Sequence, residues 1–130
     1  MRKDPLQLGG NMQIDLYVAL VVMLFIILDF VTGIIKAAIR SELSSTKMRE
    51  GLMHKLSFIL ALLLGWLCEW SMPILGLPDV FGAVYMGVGV YISCTEILSI
   101  LENLGDINPE LKTSKFLSLF GENTTDNKGE

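Results

Sequence analysis

The chain has 130 residues, 52% of them apolar and 18% charged, with a formal net charge of −4. That length holds one domain, and the apolar share is too high for a soluble fold of this size, so the excess must face lipid. The acidic balance lies mostly in the polar ends and excludes a basic nucleic-acid-binding surface.

Residues 1–13 read as a polar leader in which Pro5 and the Gly9-Gly10 pair break any helix ahead of the first apolar block. Arg2 and Lys3 ahead of an apolar run suggest a signal peptide. However, the block from Ile14 to Ile39 is too long for a signal core and is interrupted by Asp29, and the residues after it offer no small-x-small cleavage site. It reads as a retained span. Two further blocks follow, from Leu52 to Met72 and from Val80 to Leu101. Each block has about 20 or more residues, enough to cross a ~30 Å hydrocarbon layer at ~1.5 Å per helical residue. The expected fold is therefore all-α: an integral membrane protein with three transmembrane helices over about 14–39, 52–72 and 80–101, followed by a polar tail over 103–130.

Between the first two spans, Ser41 to Gly51 forms a polar connection around Ser44-Ser45-Thr46. The second connection, Ser71 to Asp79, holds Pro73, Gly76 and Pro78 and no Lys or Arg. Lys36, Arg40, Lys47, Arg49 and Lys55 all flank the first connection, which places it in the cytoplasm and gives an N-out, C-in orientation. Arg2 and Lys3 run against this assignment. Trp66 and Trp70 support it, because they fall at the outward end of the second span, where indole rings favour the headgroup region. In the tail, Asn108 and Pro109 read as a helix N-cap and first-turn proline, opening a short amphipathic cytoplasmic segment through Phe120 that stops at Gly121. Cys68 and Cys94 lie inside spans and read as small buried apolar residues rather than a disulfide.

The charged residues within the spans carry most of the functional information. Asp29 lies about 16 Å from Arg40 along the helix, near mid-membrane, where a carboxylate costs at least ~2.5 to 3.5 kcal/mol unless paired, protonated or wetted. Ala19, Val22, Asp29, Thr32, Gly33, Lys36 and Arg40 fall close to one stripe of the first span. The third span repeats the design: Gly82, Gly89 and Glu96 are spaced by seven, and Ser93 lies one turn before the glutamate. Ala83 with Gly87 and Gly89 with Ser93 form small-xxx-small pairs that let helix backbones approach in lipid. A contact between Lys36 and Glu96 is geometrically feasible. Asp29 and Glu96 fit a role in helix association or a polar path, against the plainer reading of a static buried pair. Lys36, Lys55, Glu69 and Glu102 stand near enough to span ends to be edge residues whose side chains snorkel to water.

His54 is the only histidine, there is no Gly-rich phosphate loop, and no Ser/His/Asp or metal-ligand cluster can be assembled. The chain does not read as an enzyme, and it calls for no cofactor or metal. Three spans are too few to enclose a channel alone, so a pore requires several copies.

Leu28-Asp29-Phe30-Val31-Thr32-Gly33 late in the first span, Gly51-Leu52 shortly before Lys55, and Glu96-Ile97-Leu98-Ser99-Ile100-Leu101-Glu102-Asn103 at the end of the third carry a likeness. In their order and spacing over about residues 15–105 the chain resembles the phage holin family, which also includes holin-like proteins of bacterial toxin-secretion loci. The acidic tail departs from the basic stretch that often ends such proteins, which puts tail-based regulation in doubt. The resemblance implies a protein of the bacterial host's cytoplasmic membrane that self-associates in the lipid bilayer into lesions, releasing an endolysin or a toxin as cargo. It also gives Met12 a use as an internal start, whose shorter product would lack Arg2 and Lys3; an ordinary leader with an incidental methionine is the plainer reading. The competing function is a small proton- or cation-coupled transporter acting as a dimer, in which Asp29 or Glu96 would exchange protons. A passive assembly subunit that docks a partner through its polar tail is a further alternative.

Overall fold

The computed structural model describes the backbone of residues 5–78 and 82–113, and the side chains of 12–78 and 83–112. The described residues form α1 (Pro5–Ile39), α2 (Ser45–Ile74), α3 (Gly82–Ile107) and the single turn α4 (Glu110–Thr113), with no strand among them. Three stretches are long and apolar enough to cross a membrane: Met12–Ile39, Ser45–Ile74 and Ala83–Ile107. At 25 to 30 residues each, they exceed the length needed for ~30 Å of hydrocarbon, so they tilt or project into the headgroup layer.

Helix α1 runs through Gly9-Gly10 instead of breaking there. A glycine in a helix costs only about 1 kcal/mol relative to alanine, and each residue added to a helix already nucleated by an apolar run gains a hydrogen bond. Helix α2 likewise starts before the apolar block. Lys47, Met48, Arg49 and Glu50 are good helix formers, and they extend it back to Ser45. The polar connection shrinks to a tight turn that closes with Glu42 N–H on the Ala37 carbonyl at 2.9 Å and Ser41 N–H on the Ala38 carbonyl at 3.1 Å. This is a Schellman cap, in which Ser41 takes the left-handed position at φ 55°. The same cap ends α2, where Leu77 N–H reaches the Met72 carbonyl at 3.0 Å and Gly76 N–H the Pro73 carbonyl at 3.3 Å. There the left-handed residue is Gly76, at φ +68°, which bears that conformation without the Cβ penalty that Ser41 meets. After α3, Asn108 Oδ1 accepts from Glu110 N–H at 3.1 Å, so the expected N-cap forms. Residues beyond Thr113, including the expected segment to Phe120, lie outside the described residues.

Helix α3 is the hub of the bundle, with α1 packed closely along it and α2 leaning on it more loosely. The core is Val22 and Ile26 of α1, Leu62 of α2, and Tyr85 and Ile92 of α3, flanked by Val18, Met23, Phe58, Trp66 and Val88. Two glycines set the helix separations. A Cβ on Gly89 would lie 2.8 Å from Val18 Cγ1, and one on Gly65 would lie 3.3 Å from the Tyr85 Cα. Gly89 therefore acts as the sequence suggests, whereas Gly87 faces open space with nothing within 4 Å of a Cβ, so the Ala83/Gly87 pair makes no close approach within the chain. Leu16, Leu20, Leu24, Ile27, Leu28, Val31 and Ile35 form an exposed apolar face along α1. In water such a face would drive aggregation, and in a bilayer it meets acyl chains. Cys94 is exposed on the outside of α3 and Cys68 is only half-buried; both are free thiols. They form no disulfide, as expected, but neither is buried: Cys94 lines the groove between α1 and α3.

Candidate functional site

The stripe expected on α1 is real and points inward: Val22, Asp29 and Thr32 are buried, and Gly33 and Lys36 are half-buried. Glu96 of α3 faces it, 2% exposed. Two carboxylates so placed need a counter-charge, and α2 supplies it. Lys55 Nζ donates to Asp29 Oδ2 and to Glu96 Oε2, both at 2.6 Å. The ammonium thus joins all three long helices at a single point. Lys55 is not a snorkelling edge residue, because Lys55, Phe58, Ile59, Leu62, Trp66 and Glu69 recur at helical spacing on the face of α2 that meets the bundle.

The network continues toward the α1–α2 turn. Asn103 Nδ2 donates to Asp29 Oδ1 at 3.0 Å and to Thr32 Oγ1 at 3.2 Å, while the Thr32 hydroxyl donates to the Asp29 carbonyl at 3.0 Å. Asn103 Oδ1 in turn accepts from Lys36 Nζ at 3.3 Å. Asp29 therefore has both carboxylate oxygens engaged, which is the condition for holding a charge at that depth. Lys36 does not reach Glu96. Its ammonium turns the other way, to Asp106 Oδ2 at 2.9 Å, and Arg40 Nη2 and Lys112 Nζ approach the same carboxylate at 3.4 and 2.6 Å. The geometric reason is depth: Lys36 stands about 10 Å along the helix from Asp29, closer to Asp106 near the end of α3.

At the opposite end of the bundle, buried Tyr85 donates its hydroxyl to the Asp15 carbonyl at 2.7 Å, tying the start of α3 to α1. Trp66 and Trp70 stack there, with centroids 6.0 Å apart. Glu69 is half-buried on α2, and Glu102 is exposed on α3. Ser93 lies beside Gly89 in an apolar groove of about 380 Å³ between α1 and α3, outside the charged network. Met12 is exposed near the start of α1.

Asn103 was named only as the last residue of a family-like motif, and Asp106 and Tyr85 were not singled out from sequence. The signal for the first was available, because the seven-residue series Gly82, Gly89, Glu96 continues to Asn103, and Asp106 follows three residues later on the same face. No group of three or more His, Cys, Asp or Glu side chains able to hold a metal occurs among the described residues. Chemically, the arrangement does one thing well: it neutralises charges deep in the bundle while fixing the register of three helices, the best-attested use of a buried ionic group.

No curated protein and no solved structure matches the chain. The bacteriophage holin family matches it over residues 9–120, which takes in α1 from Gly9 onward, all of α2 and α3, and the motifs that suggested this family. The three apolar helices and this match identify a multi-pass protein of the cytoplasmic membrane, and the chain belongs to the bacteriophage holin family.

Proposed function

We propose that the chain is a timed membrane-lesion former. It accumulates in the cytoplasmic membrane with its N-terminus outside and its C-terminus inside, then self-associates into lesions that pass an endolysin or a toxin. The family match over residues 9–120 carries the reading. It is supported by a bundle whose interior is filled by apolar packing and paired charges, so that passage of a folded enzyme needs several copies. The orientation rests on Lys and Arg clustering around the α1–α2 turn, against none between α2 and α3. The network of Asp29, Lys55, Glu96, Thr32, Asn103 and Lys36 holds each copy closed in lipid, with Gly33 in ordinary contact with Asn103, Gly89 at a close approach to Val18, and Ser93 beside Gly89.

An internal start at Met12 would add a timing device. Carrying the Arg2 and Lys3 charges outward against the membrane potential costs ~2.3 kcal/mol per charge per 100 mV, so the longer product would translocate its N-terminus reluctantly. To test the function, the chain is expressed alone in bacteria while membrane potential and release of a folded cytoplasmic enzyme are followed. Abrupt release after a delay is the expected result. Substrate-dependent proton flux without release would instead establish a coupled transporter, and neither signal would leave a passive assembly subunit.

A further inference from the structure

At the end of the bundle by the α1–α2 turn, three cations share one carboxylate. Lys36, Arg40 and Lys112 all converge on Asp106, at 2.9, 3.4 and 2.6 Å. Asp106 is only 11% exposed and lies beneath the cluster, while Arg40 and Lys112 are 45% and 53% exposed. The carboxylate thus organises the cations from below and leaves their outer sides open. Arg40 approaches it through Nη2.

The position of Lys112 is built into the fold. The Asn108-Pro109 turn reverses the chain after α3, and the Lys112 stem then lies across Gly105, where an added Cβ would fall 2.8 Å from its Cγ and 3.0 Å from its Cε. A side chain at residue 105 would occupy that track. The cluster also stands at the right depth: Lys36 lies in the last turn of a helix long enough to project from the hydrocarbon, Arg40 directly follows its last residue, and Asp106 occupies the last turn of another helix. Around it, the acidic side chains at this end among the described residues are Glu42, Glu50, Glu102 and Glu110, all exposed.

We propose that Lys36, Arg40 and Lys112, arranged by Asp106, form a binding site for the phosphate of an anionic phospholipid at the α1/α3 end of the bundle. The site lies in the headgroup layer whichever way the chain crosses the membrane, so it stands apart from the proposed orientation and from lesion formation. Electrostatic attraction at a charged bilayer surface is worth roughly a factor of five for each Lys or Arg brought to it. Two exposed cations therefore favour an anionic over a zwitterionic lipid by about 10- to 30-fold.

The test uses the full chain purified in mild detergent and native mass spectrometry, with phosphatidylglycerol, phosphatidylcholine or inorganic phosphate titrated in. The wild-type chain is expected to retain phosphatidylglycerol with the stated preference, and inorganic phosphate at millimolar levels is not expected to displace it. Arg40→Gln with Lys112→Gln should reduce the preference to about threefold or less. Arg40→Lys, which keeps the charge, should preserve most of it. Lys47→Gln with Arg49→Gln removes two charges from exposed positions on the first turns of α2 and should leave the preference unchanged. Equal retention of the two lipids by the wild-type chain would overturn the proposal. So would displacement by free phosphate, or an equal loss in both double variants, which would mark diffuse surface attraction.

Discussion

Replacing Lys55 with Met keeps the reach of the side chain and deletes the ammonium that stands 2.6 Å from both Asp29 Oδ2 and Glu96 Oε2. The side chains of Lys55, Asp29 and Glu96 are 12%, 11% and 3% exposed, so water screens little of their interaction. Two scales bear on the magnitude. Hydrogen bonds between side chains in membrane bundles average ~0.6 kcal/mol, whereas stranding the partner of a buried ion pair costs about 3 to 5 kcal/mol. The second scale governs here, because the variant leaves two carboxylates facing each other with no counter-charge between them. The assay is unfolding of the purified chain by titration from mild detergent into dodecyl sulfate, read by circular dichroism and by the fluorescence of the Trp66–Trp70 pair. Combining Lys55→Met with Asp29→Asn and Glu96→Gln removes all three charges and should recover most of the loss. A deficit below ~1 kcal/mol at pH 7, or a triple variant no more stable than the single one, would refute the three-way pairing.

Gly87 and Gly89 of α3 give a paired test. Gly89→Leu forces side-chain atoms into Val18, only 2.8 Å from the position of a Cβ, and should cost about 1 to 3 kcal/mol in the same titration, whereas Gly87→Leu meets nothing within 4 Å and should leave the isolated chain's stability unchanged. Tyr85→Phe removes the 2.7 Å hydrogen bond to the Asp15 carbonyl and should cost about 1 kcal/mol, with faster amide exchange localised to the first turns of the Met12–Ile39 span.

The three spans were legible because lipid demands long apolar runs, and the inward stripe of α1 was legible because small and polar residues share a helical period there. Lys55 was harder to place. Its distance from the start of the apolar block suggested the membrane edge, but α2 begins at Ser45, so the lysine lies a full ten residues inside the helix. Its role depends on which face of α2 turns to α1 and α3, a tertiary fact that one helix's pattern cannot contain. The pairing of Lys36 failed for a related reason. Glu96 was already claimed by a cation from a third helix, and Asp106 offered Lys36 a nearer carboxylate. The Gly9-Gly10 break failed because propagation of a long helix outweighs a local penalty of about 1 kcal/mol per glycine.

Charge balance along the seam constrains how copies can associate. Asp29, Glu96 and Asp106 face Lys36, Arg40 and Lys55, so the closed bundle presents its apolar faces to lipid while opposite charges meet within. Drawing α2 away would strand Asp29 and Glu96, and an unpaired charge at mid-membrane costs at least ~2.5 to 3.5 kcal/mol in hydrocarbon. Separation of the helices is therefore tolerable only where water already reaches the seam. Within the proposed function, early assemblies are expected to join through outer apolar faces with each bundle intact, and seams to open only when an assembly is large enough to admit water. This order sets the sign of a timing experiment. A Lys55→Met chain, in which the closed state has lost its central counter-charge, should release a cytoplasmic enzyme earlier than wild type at equal membrane abundance. A delayed onset at equal abundance would mean instead that the ammonium serves contacts between copies, and the order of assembly argued here would have to be reversed.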